Sequence, residues 1–221
     1  MVRPSHGIVA ALALMAAACG SDNDNLVGIA GSASVRLVND TDTPVSFSNP
    51  VLLDSTSTTL VFGQSACVLV DLSRTSVPQI TITNGGTGAS VTLAPTLVAG
   101  DNLTVVAYGG AAGNVQLATL DNHFVPVTSA AGLRFFNGAS ITAPLLMQRS
   151  GVAVTPFVGF GAASGFVSVP IDSAQVSFAD AFQVVLDAGL MAFPLGQNST
   201  VVLGPPAPET VPLRFFTVQG C

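Results

Sequence analysis

The second half of this chain repeats its first half. Residues 35–39 (VRLVN) return as residues 133–137 (LRFFN), at an offset of 98 (133 − 35 = 98). Farther along the offset is 96, because residues 100–106 (GDNLTVV) match residues 196–202 (GQNSTVV) and 196 − 100 = 96. Self-similarity at one domain-sized period predicts two copies of one fold in tandem and is not typical of a solenoid of short units.

Each copy consists of short apolar or alternating segments that are separated by Gly, Pro, Asn, Asp and Ser. About eight such segments per copy, with turn residues at about every 8–12 positions, predict a β-sandwich. In the first copy we predict strands over 33–39, 44–47, 58–62, 67–72, 79–83, 90–93, 103–107 and 115–120. In the second copy we predict strands over 132–136, 143–147, 152–157, 166–169, 175–178, 182–186, 200–203 and 213–218. Only residues 179–190 have an apolar spacing that could also form a helix, and the run FQVVL favours a strand there.

These segments predict an all-β protein of two tandem β-sandwich domains. The first domain is expected to cover residues 33–122 and the second residues 132–221. Residues 123–131 form the junction, which is short and only mildly polar. We therefore expect the two domains to pack against each other.

The first 18 residues are predicted to be a signal peptide. A weakly basic start with Arg3 and His6 is followed by an apolar run and by three alanines before Cys19. This pattern is typical of a secretory signal, and the run is too short to span a bilayer. The segment resembles a bacterial lipoprotein signal, which implies that Cys19 becomes the lipidated first residue, although Ala16 stands where Leu is commonest. The alternative is ordinary cleavage after the same alanines, without a lipid.

A lipidated Cys19 would anchor the protein to the cell envelope, with residues 19–32 as a flexible tether. Gly20 and not Asp follows the cysteine, and in lipoproteins of Gram-negative bacteria this implies sorting to the outer membrane. The expected partners are therefore the membrane, through the lipid anchor at Cys19, and an envelope or surface protein. Whether the protein faces the periplasm or the cell surface stays open.

Charge is sparse in this chain and excludes one class of partner. Charged residues make up 8% of the sequence, the formal net charge is −6 and there is no Lys. The arginines are scattered singly with no basic stripe, so we expect no binding to nucleic acid. Most of the 13 Phe residues lie inside apolar runs and are predicted to belong to the cores.

Two cysteines remain after Cys19, namely Cys67 and Cys221. An even pair in an exported protein predicts a disulfide bond, and the alternative is two unpaired thiols. Cys67 lies in the first repeat and Cys221 follows the last predicted strand of the second. The bond would therefore connect the two domains and requires that they pack together.

Ser65 and His123 are the two candidates for catalytic residues. Ser65 lies in the segment GQSAC, one residue away from the Gly-x-Ser-x-Gly elbow of serine hydrolases. That elbow needs a helix after the nucleophile and His and acid partners, whereas His123 is the only His in the mature part of the chain. Small residues also occupy the equivalent segment 161–165 (GAASG), so we interpret both segments as bends. His123 is interpreted as a linker residue, no catalytic residue is predicted, and the protein is not expected to be an enzyme.

Asp40 and Asp42 lie beside Asn39 and were considered as calcium ligands. They would supply about three of the six to eight oxygen ligands that calcium takes. Asp and Asn are also ordinary turn residues, because their side chains bond to the nearby backbone. We therefore interpret them as turn residues and predict no metal and no other cofactor.

Several polar residues recur at equivalent positions of the two copies. Arg36, Arg134 and Arg214 lie in apolar strands, and the simplest interpretation is that they point outward; the alternative is that they grip a ligand. Asn102 and Asn198 begin glycosylation sequons at matching positions, and we interpret them as turn residues before a strand.

Two motifs of this chain resemble a known family. They are residues 34–39 (SVRLVN), which restart at 133–137, and residues 99–107 (AGDNLTVVA). Both resemble the bacterial domain of unknown function 4397, which occurs as tandem repeats in secreted proteins and lipoproteins. The loops 39–44 (NDTDTP) and 137–144 (NGASITAP) keep only parts of the family's usual loop after the first strand. The resemblance implies an immunoglobulin-like or transthyretin-like β-sandwich and no established activity.

The function that these observations favour is that of a non-enzymatic cell-envelope lipoprotein with a structural or protein-interaction role. The alternative is a ligand-binding module that takes a glycan, a small molecule or calcium in its loops or in the interdomain cleft.

Overall fold

Short strands and tight turns make up the regular structure of this protein. The computed structural model describes residues 31–48, 57–73, 78–109, 115–139, 143–182, 184–204 and 213–221. These residues contain strands and no helix, so the all-β prediction is confirmed for the part of the chain they cover. Residues 184–192 form a strand and not the competing helix.

The described residues of the first half contain eight strands in two sheets. They are β1 (Ser32–Asp40), β2 (Val45–Ser48), β3 (Ser57–Leu60), β4 (Ser65–Asp71), β5 (Ile80–Asn84), β6 (Ser90–Leu93), β7 (Asn102–Tyr108) and β8 (Gln116–Asp121). One sheet has the order β4-β1-β7-β8 and the other the order β3-β2-β5-β6. All neighbours are antiparallel except β1 and β7, which run parallel.

The second half follows the same plan, with nine strands in the part that the structure describes. They are β9 (Ala130–Asn137), β10 (Leu146–Arg149), β11 (Val152–Ala153), β12 (Ala162–Ala163), β13 (Val167–Pro170), β14 (Ser173–Ala179), β15 (Val184–Ala192), β16 (Asn198–Gly204) and β17 (Arg214–Gln219). One sheet has the order β12-β9-β16-β17, with β13 also paired to β9, and the other the order β11-β10-β14-β15. The parallel pair returns as β9 and β16, so the sequence repeat is a repeat of topology.

In each half, the two sheets cover the two sides of one apolar core, which is the layer arrangement of a sandwich. The alternation in β5 shows how the sequence directs this arrangement. Ile80 and Ile82 are buried in the first core, whereas the hydroxyl groups of Thr81 and Thr83 lie on the solvent face. Because successive side chains of a strand point to opposite faces, this pattern fixes the register of the strand.

The bends predicted in residues 63–67 and 161–165 are present only at the first residue of each segment, since Ser65 already begins β4 and Ala162–Ala163 form β12. Gly63 and Gly161 occupy equivalent turns (161 − 63 = 98) and have φ angles of 76° and 72°. Side chains rarely adopt this left-handed conformation, so glycine is the residue that such a turn requires.

Among the described residues, no helix has the length and apolar character needed to cross a membrane.

Candidate functional site

A third apolar cluster lies between the two halves and joins them. It is formed by the outward faces of the sheets that contain β1 and β9, each of which already covers a core with its other face. The cluster consists of Val38, Val106, Tyr108, Leu120, Phe136, Val202 and Val218. This double coverage explains why every residue of β9 is buried. The two halves therefore pack as one body, as expected from the short junction.

The contact between the halves is reciprocal. Arg36 donates through Nη2 to the carbonyl oxygen of Gly220, at 3.2 Å. Arg134 donates through Nη2 to Oδ1 of Asn122, at 2.9 Å. The two arginines are equivalent (134 − 36 = 98), and so are their acceptor residues (220 − 122 = 98). Each half thus uses the same arginine to reach the end of the last strand of the other half.

Arg134 points outward from its own sheet, as expected, because its neighbours Leu133 and Phe135 face the core. The other half covers this outward face, so Arg134 is the more deeply buried of the two arginines. Only 4% of its surface is exposed, and its Nη1 donates to the carbonyl oxygen of Asp121 at 2.6 Å. Its Nε and Nη2 also donate to the hydroxyl oxygen of Thr200, at 3.1 and 2.9 Å. Burial lowers the pKa of Arg134 to about 10, and its charge is compensated by these bonds and by the Phe166 ring at 4.3 Å.

The predicted disulfide between Cys67 and Cys221 is present. Their Cα atoms are 5.8 Å apart, and the bond joins β4 of the first half to Cys221, which lies two residues after the end of β17 in the second half. The disulfide and the arginines therefore link the halves near the same place, since Arg36 and Cys67 are direct register partners in the sheet.

A polar cleft lies beside the disulfide, and we call it the amide cleft. Its lining includes Asn102, Asn122, Gln197, Asn198, Gln219 and Cys221, and its volume is about 330 Å³. The two sequon residues, predicted as turn residues, are instead the first residues of β7 and β16 and meet here. Asn102 accepts a bond from Nδ2 of Asn122 at 2.8 Å, and Asn198 donates to the carbonyl oxygen of Phe124 at 2.7 Å. Asn122 also accepts the bond from Arg134 and so belongs to the contact between the halves, and the amides leave a polar opening beside it.

The candidate calcium residues Asp40 and Asp42 have separate roles. Asp40 is the last residue of β1 and is fully buried, so its interpretation as a turn residue was wrong. Asp42 accepts a bond at 2.6 Å from Arg214, whose guanidinium group lies 3.7 Å from the centre of the Phe62 ring. Arg214 points outward from its own sheet, on the same face of β17 as Phe216, and there it binds a carboxylate of the first half. The described residues contain no group of three or more His, Cys, Asp or Glu side chains that could hold a metal.

The two catalytic candidates lie apart from each other and have structural partners. The hydroxyl group of Ser65 accepts a bond at 3.0 Å from Arg36. His123 contacts Asp121, with 2.8 Å between Nδ1 and the carboxylate. A bond from the backbone of His123 is the main reason that the pKa of Asp121 lies below its usual value, and the imidazole contact adds to it.

An apolar pocket opens on the second half, and we call it the Phe182 pocket. Ala143, Pro144, Phe157, Ala181 and Phe182 line a cavity of about 360 Å³. Phe182 is 95% exposed and Phe157 51% exposed, so the expectation that phenylalanines belong to the cores was wrong for these two. Exposed aromatic side chains around a pocket are typical of interaction sites.

The Phe182 pocket and the start of the fold lie at opposite ends of the molecule. The chain enters β1 at Ser32, and β9 starts at the same end because the halves are arranged reciprocally. The pocket belongs to the far end, since Ala143 and Pro144 follow β9 and precede β10. The candidate lipid attachment at Cys19 lies in residues 1–30, outside the described part of the chain.

Sequence reasoning missed the Phe182 pocket and the burial of Asp40. The sequence contained one signal for the pocket. Phe182 lies between the polar residues Asp180 and Gln183, in the short segment that connects β14 and β15. For Asp40, the signal was its place directly at the end of an apolar strand, one residue after Asn39, the asparagine that recurs in the second copy as Asn137.

The chain was also compared with known proteins. A scan against protein-family models finds no match, and a search of the curated proteins finds no relative.

Proposed function

We propose that this protein is a non-enzymatic envelope lipoprotein that presents the Phe182 pocket to a partner protein. The observation that carries the proposal is the placement of the exposed Phe157 and Phe182 at the end opposite the tether. A lipid at Cys19 would hold the tether end at the membrane, so the apolar pocket would point away from that membrane. The occupant we propose is an apolar side chain of another envelope or surface protein.

The way the halves are joined supports this role. The disulfide, the reciprocal arginines and the third apolar cluster make one body out of two sandwiches. A partner bound at the far end would therefore be held at a fixed distance from the tether end. That is the mechanical property a structural or adaptor protein needs.

Within the β-sandwiches, we propose the transthyretin-like alternative and not the immunoglobulin-like one. In immunoglobulin constant domains the first strand lies next to the second. Here β1 lies between β4 and β7, and β9 occupies the same place in the second half. Membership of the domain of unknown function 4397 family also stays a proposal, supported by the recurrence of Arg36 and Arg134 in equivalent first strands.

The second candidate function is binding of a neutral polar ligand in the amide cleft. Its support is the cavity of about 330 Å³ with carboxamide groups of Asn102, Asn122 and Asn198 in its lining. Carboxamides donate and accept hydrogen bonds without charge, which suits the hydroxyl groups of a sugar or another small polar molecule.

Photo-crosslinking in the native cell tests the proposed docking. A photoreactive side chain at position 182 is expected to give one discrete product with a partner protein, because an exposed apolar side chain beside a pocket lies at the contact. The same group at position 125 is the control, since Val125 is 91% exposed but lies near the tether end. The added substitution Phe157→Ser should remove the product at position 182, because it takes away an aromatic wall of the pocket and leaves a polar hydroxyl group there.

Two results of this experiment would contradict the proposal. One is the same set of products from positions 182 and 125, which would indicate random encounters. The other is a product at position 182 that consists of lipid or that survives Phe157→Ser. A ligand-binding role predicts no discrete protein product at either position.

Export and anchoring are tested by Cys19→Ser. The substitution is expected to abolish incorporation of a clickable fatty acid, because the acyl chains would be attached to this cysteine. Cys67→Ser is the matched control and should label like the natural sequence, since Cys67 lies in the disulfide. Equal labelling of the Cys19→Ser protein would refute the lipid anchor.

A further inference from the structure

Asp40 is a fully buried acid at the contact between the two halves. It is the last residue of β1, and none of its surface is exposed. Neither of its carboxyl oxygens has a hydrogen-bond partner among the described residues. A buried acid without partners is costly when it carries a charge, so its position calls for a physical explanation.

Two glycines of the second half make room for this side chain. A Cβ atom placed on Gly138 would collide with one carboxyl oxygen of Asp40, and a Cβ on Gly204 would collide with the other and with Phe62. Asp40 and Gly138 are equivalent positions of the repeat (138 − 40 = 98). The acid of the first half thus fills the space that its glycine counterpart leaves free.

The charged and titratable groups around Asp40 leave it without a dedicated counter-ion. Arg214 on β17 is the nearest cation, but its Nη2 bonds to Asp42 in the loop after β1. Tyr108 on β7 is the parallel register partner of Asp40, and its hydroxyl donates to Gln116. Burial raises the pKa of Asp40 well above its usual value; Arg214 opposes this rise and Asp42 adds to it.

We propose that Asp40 is a pH-sensitive latch between the two halves. As a neutral acid it fills the space at Gly138 and Gly204 and lets the ends of β1, β9 and β16 pack together. Once it ionises, the buried carboxylate has to reach water, and the far end of the contact loosens while the disulfide keeps the halves linked. This device is independent of the proposed lipid anchor and of the Phe182 pocket.

The direction of the pH effect follows from linkage. In the unfolded chain an aspartic acid loses its proton near pH 4, whereas folded Asp40 keeps its proton to a higher pH. Over that interval the folded state binds more protons than the unfolded state, so stability falls as the pH rises. The contribution is fully present below the unfolded pKa and is lost as the pH rises through the folded pKa. A single group changes the folding equilibrium by at most about tenfold per pH unit.

The experiment compares urea unfolding of the full exported chain with that of Asp40→Asn from about pH 4 to about pH 9. The natural sequence should lose stability relative to Asp40→Asn as the pH rises, by up to about tenfold in the equilibrium constant per unit. The readout is the difference between the two slopes of stability against pH. The absolute stabilities are not compared, because the Asn side chain of the variant introduces buried hydrogen-bond donors of its own. Asp101→Asn is the control and should keep the slope, since Asp101 precedes β7, whose opposite end at Tyr108 pairs with Asp40.

Two results would overturn the proposal. One is an unfolding equilibrium that depends on pH in the same way for the natural sequence and for Asp40→Asn. The other is a natural sequence that gains stability relative to the variant as the pH rises. If Asp40→Asn does not fold, the carboxyl carbon of Asp40 can be followed by NMR in the natural sequence. A resonance that is still protonated near neutral pH, together with faster amide exchange at Gly138 once it titrates, supports the latch. A resonance that titrates near pH 4 overturns it.

Discussion

Replacing Cys67 by serine is expected to lower the free energy of unfolding by about 2–5 kcal/mol. The bond encloses a sequence separation of 154 residues, for which the chain-entropy account gives about 5 kcal/mol. It also joins β4 to the end of β17, so its loss lets the two halves separate in the unfolded chain. Urea unfolding followed by fluorescence or circular dichroism measures the change.

The matched variants make this prediction specific. Cys221→Ser and the double variant should unfold at the same urea concentration as Cys67→Ser, because all three remove one and the same bond. Reduction of the natural protein should give that value too. Two additive losses would mean that the thiols stabilise the fold separately, and alkylation of both thiols without a reductant would mean that the bond does not form.

Arg134→Met is expected to cost about 3 kcal/mol or more. The substitution keeps much of the volume but leaves the carbonyl oxygen of Asp121 and the amide oxygen of Asn122 without their cationic donor. A buried polar group that loses its partner costs about 1–3 kcal/mol, and bonds to charged groups lie at the upper end of the range. The loss should appear as a lower urea midpoint and as faster amide exchange at the ends of β8 and β16.

Arg36→Met is the control, because Arg36 occupies the equivalent position in the first half. It is only partly buried, and its bond across the contact goes to the carbonyl oxygen of Gly220 at 3.2 Å. We therefore expect a smaller loss than for Arg134→Met. Equal losses would show that burial does not govern the strength of these bonds, and no loss at Arg134 would contradict the importance of this contact.

The repeat and its strands could be predicted from sequence, because both depend on local patterns. The alternation in β5 and both ends of β6 could be predicted, because they depend only on side chains that alternate with a period of two and on the turn residues beside them. The disulfide could be predicted because two cysteines remain once Cys19 is assigned to the predicted lipid site, and because the sequence predicts export.

The contact between the halves could not be predicted in this way. Sequence patterns show that Val38 and Arg134 lie on the outward face of a strand, but they do not show that this face meets its counterpart. The burial of Asp40 follows from the same contact, since it depends on Gly138 and Gly204, which lie 98 and 164 residues farther along the chain (138 − 40 = 98; 204 − 40 = 164). Local turn chemistry therefore gave a wrong environment for Asp40, and strand alternation alone could not show that Arg134 is buried.

The pairing of Asp40 with Gly138 is one that two identical chains could not form. In a symmetric dimer, a residue on the two-fold axis always meets its own copy, so an acid would face an acid and a glycine a glycine. Because this polypeptide carries both copies, the two positions could diverge into a large and a small partner. The same freedom explains the single disulfide, since the position equivalent to Cys67 holds Gly165 (67 + 98 = 165). Fusion of two copies into one chain thus permits a complementarity that self-association of one copy excludes.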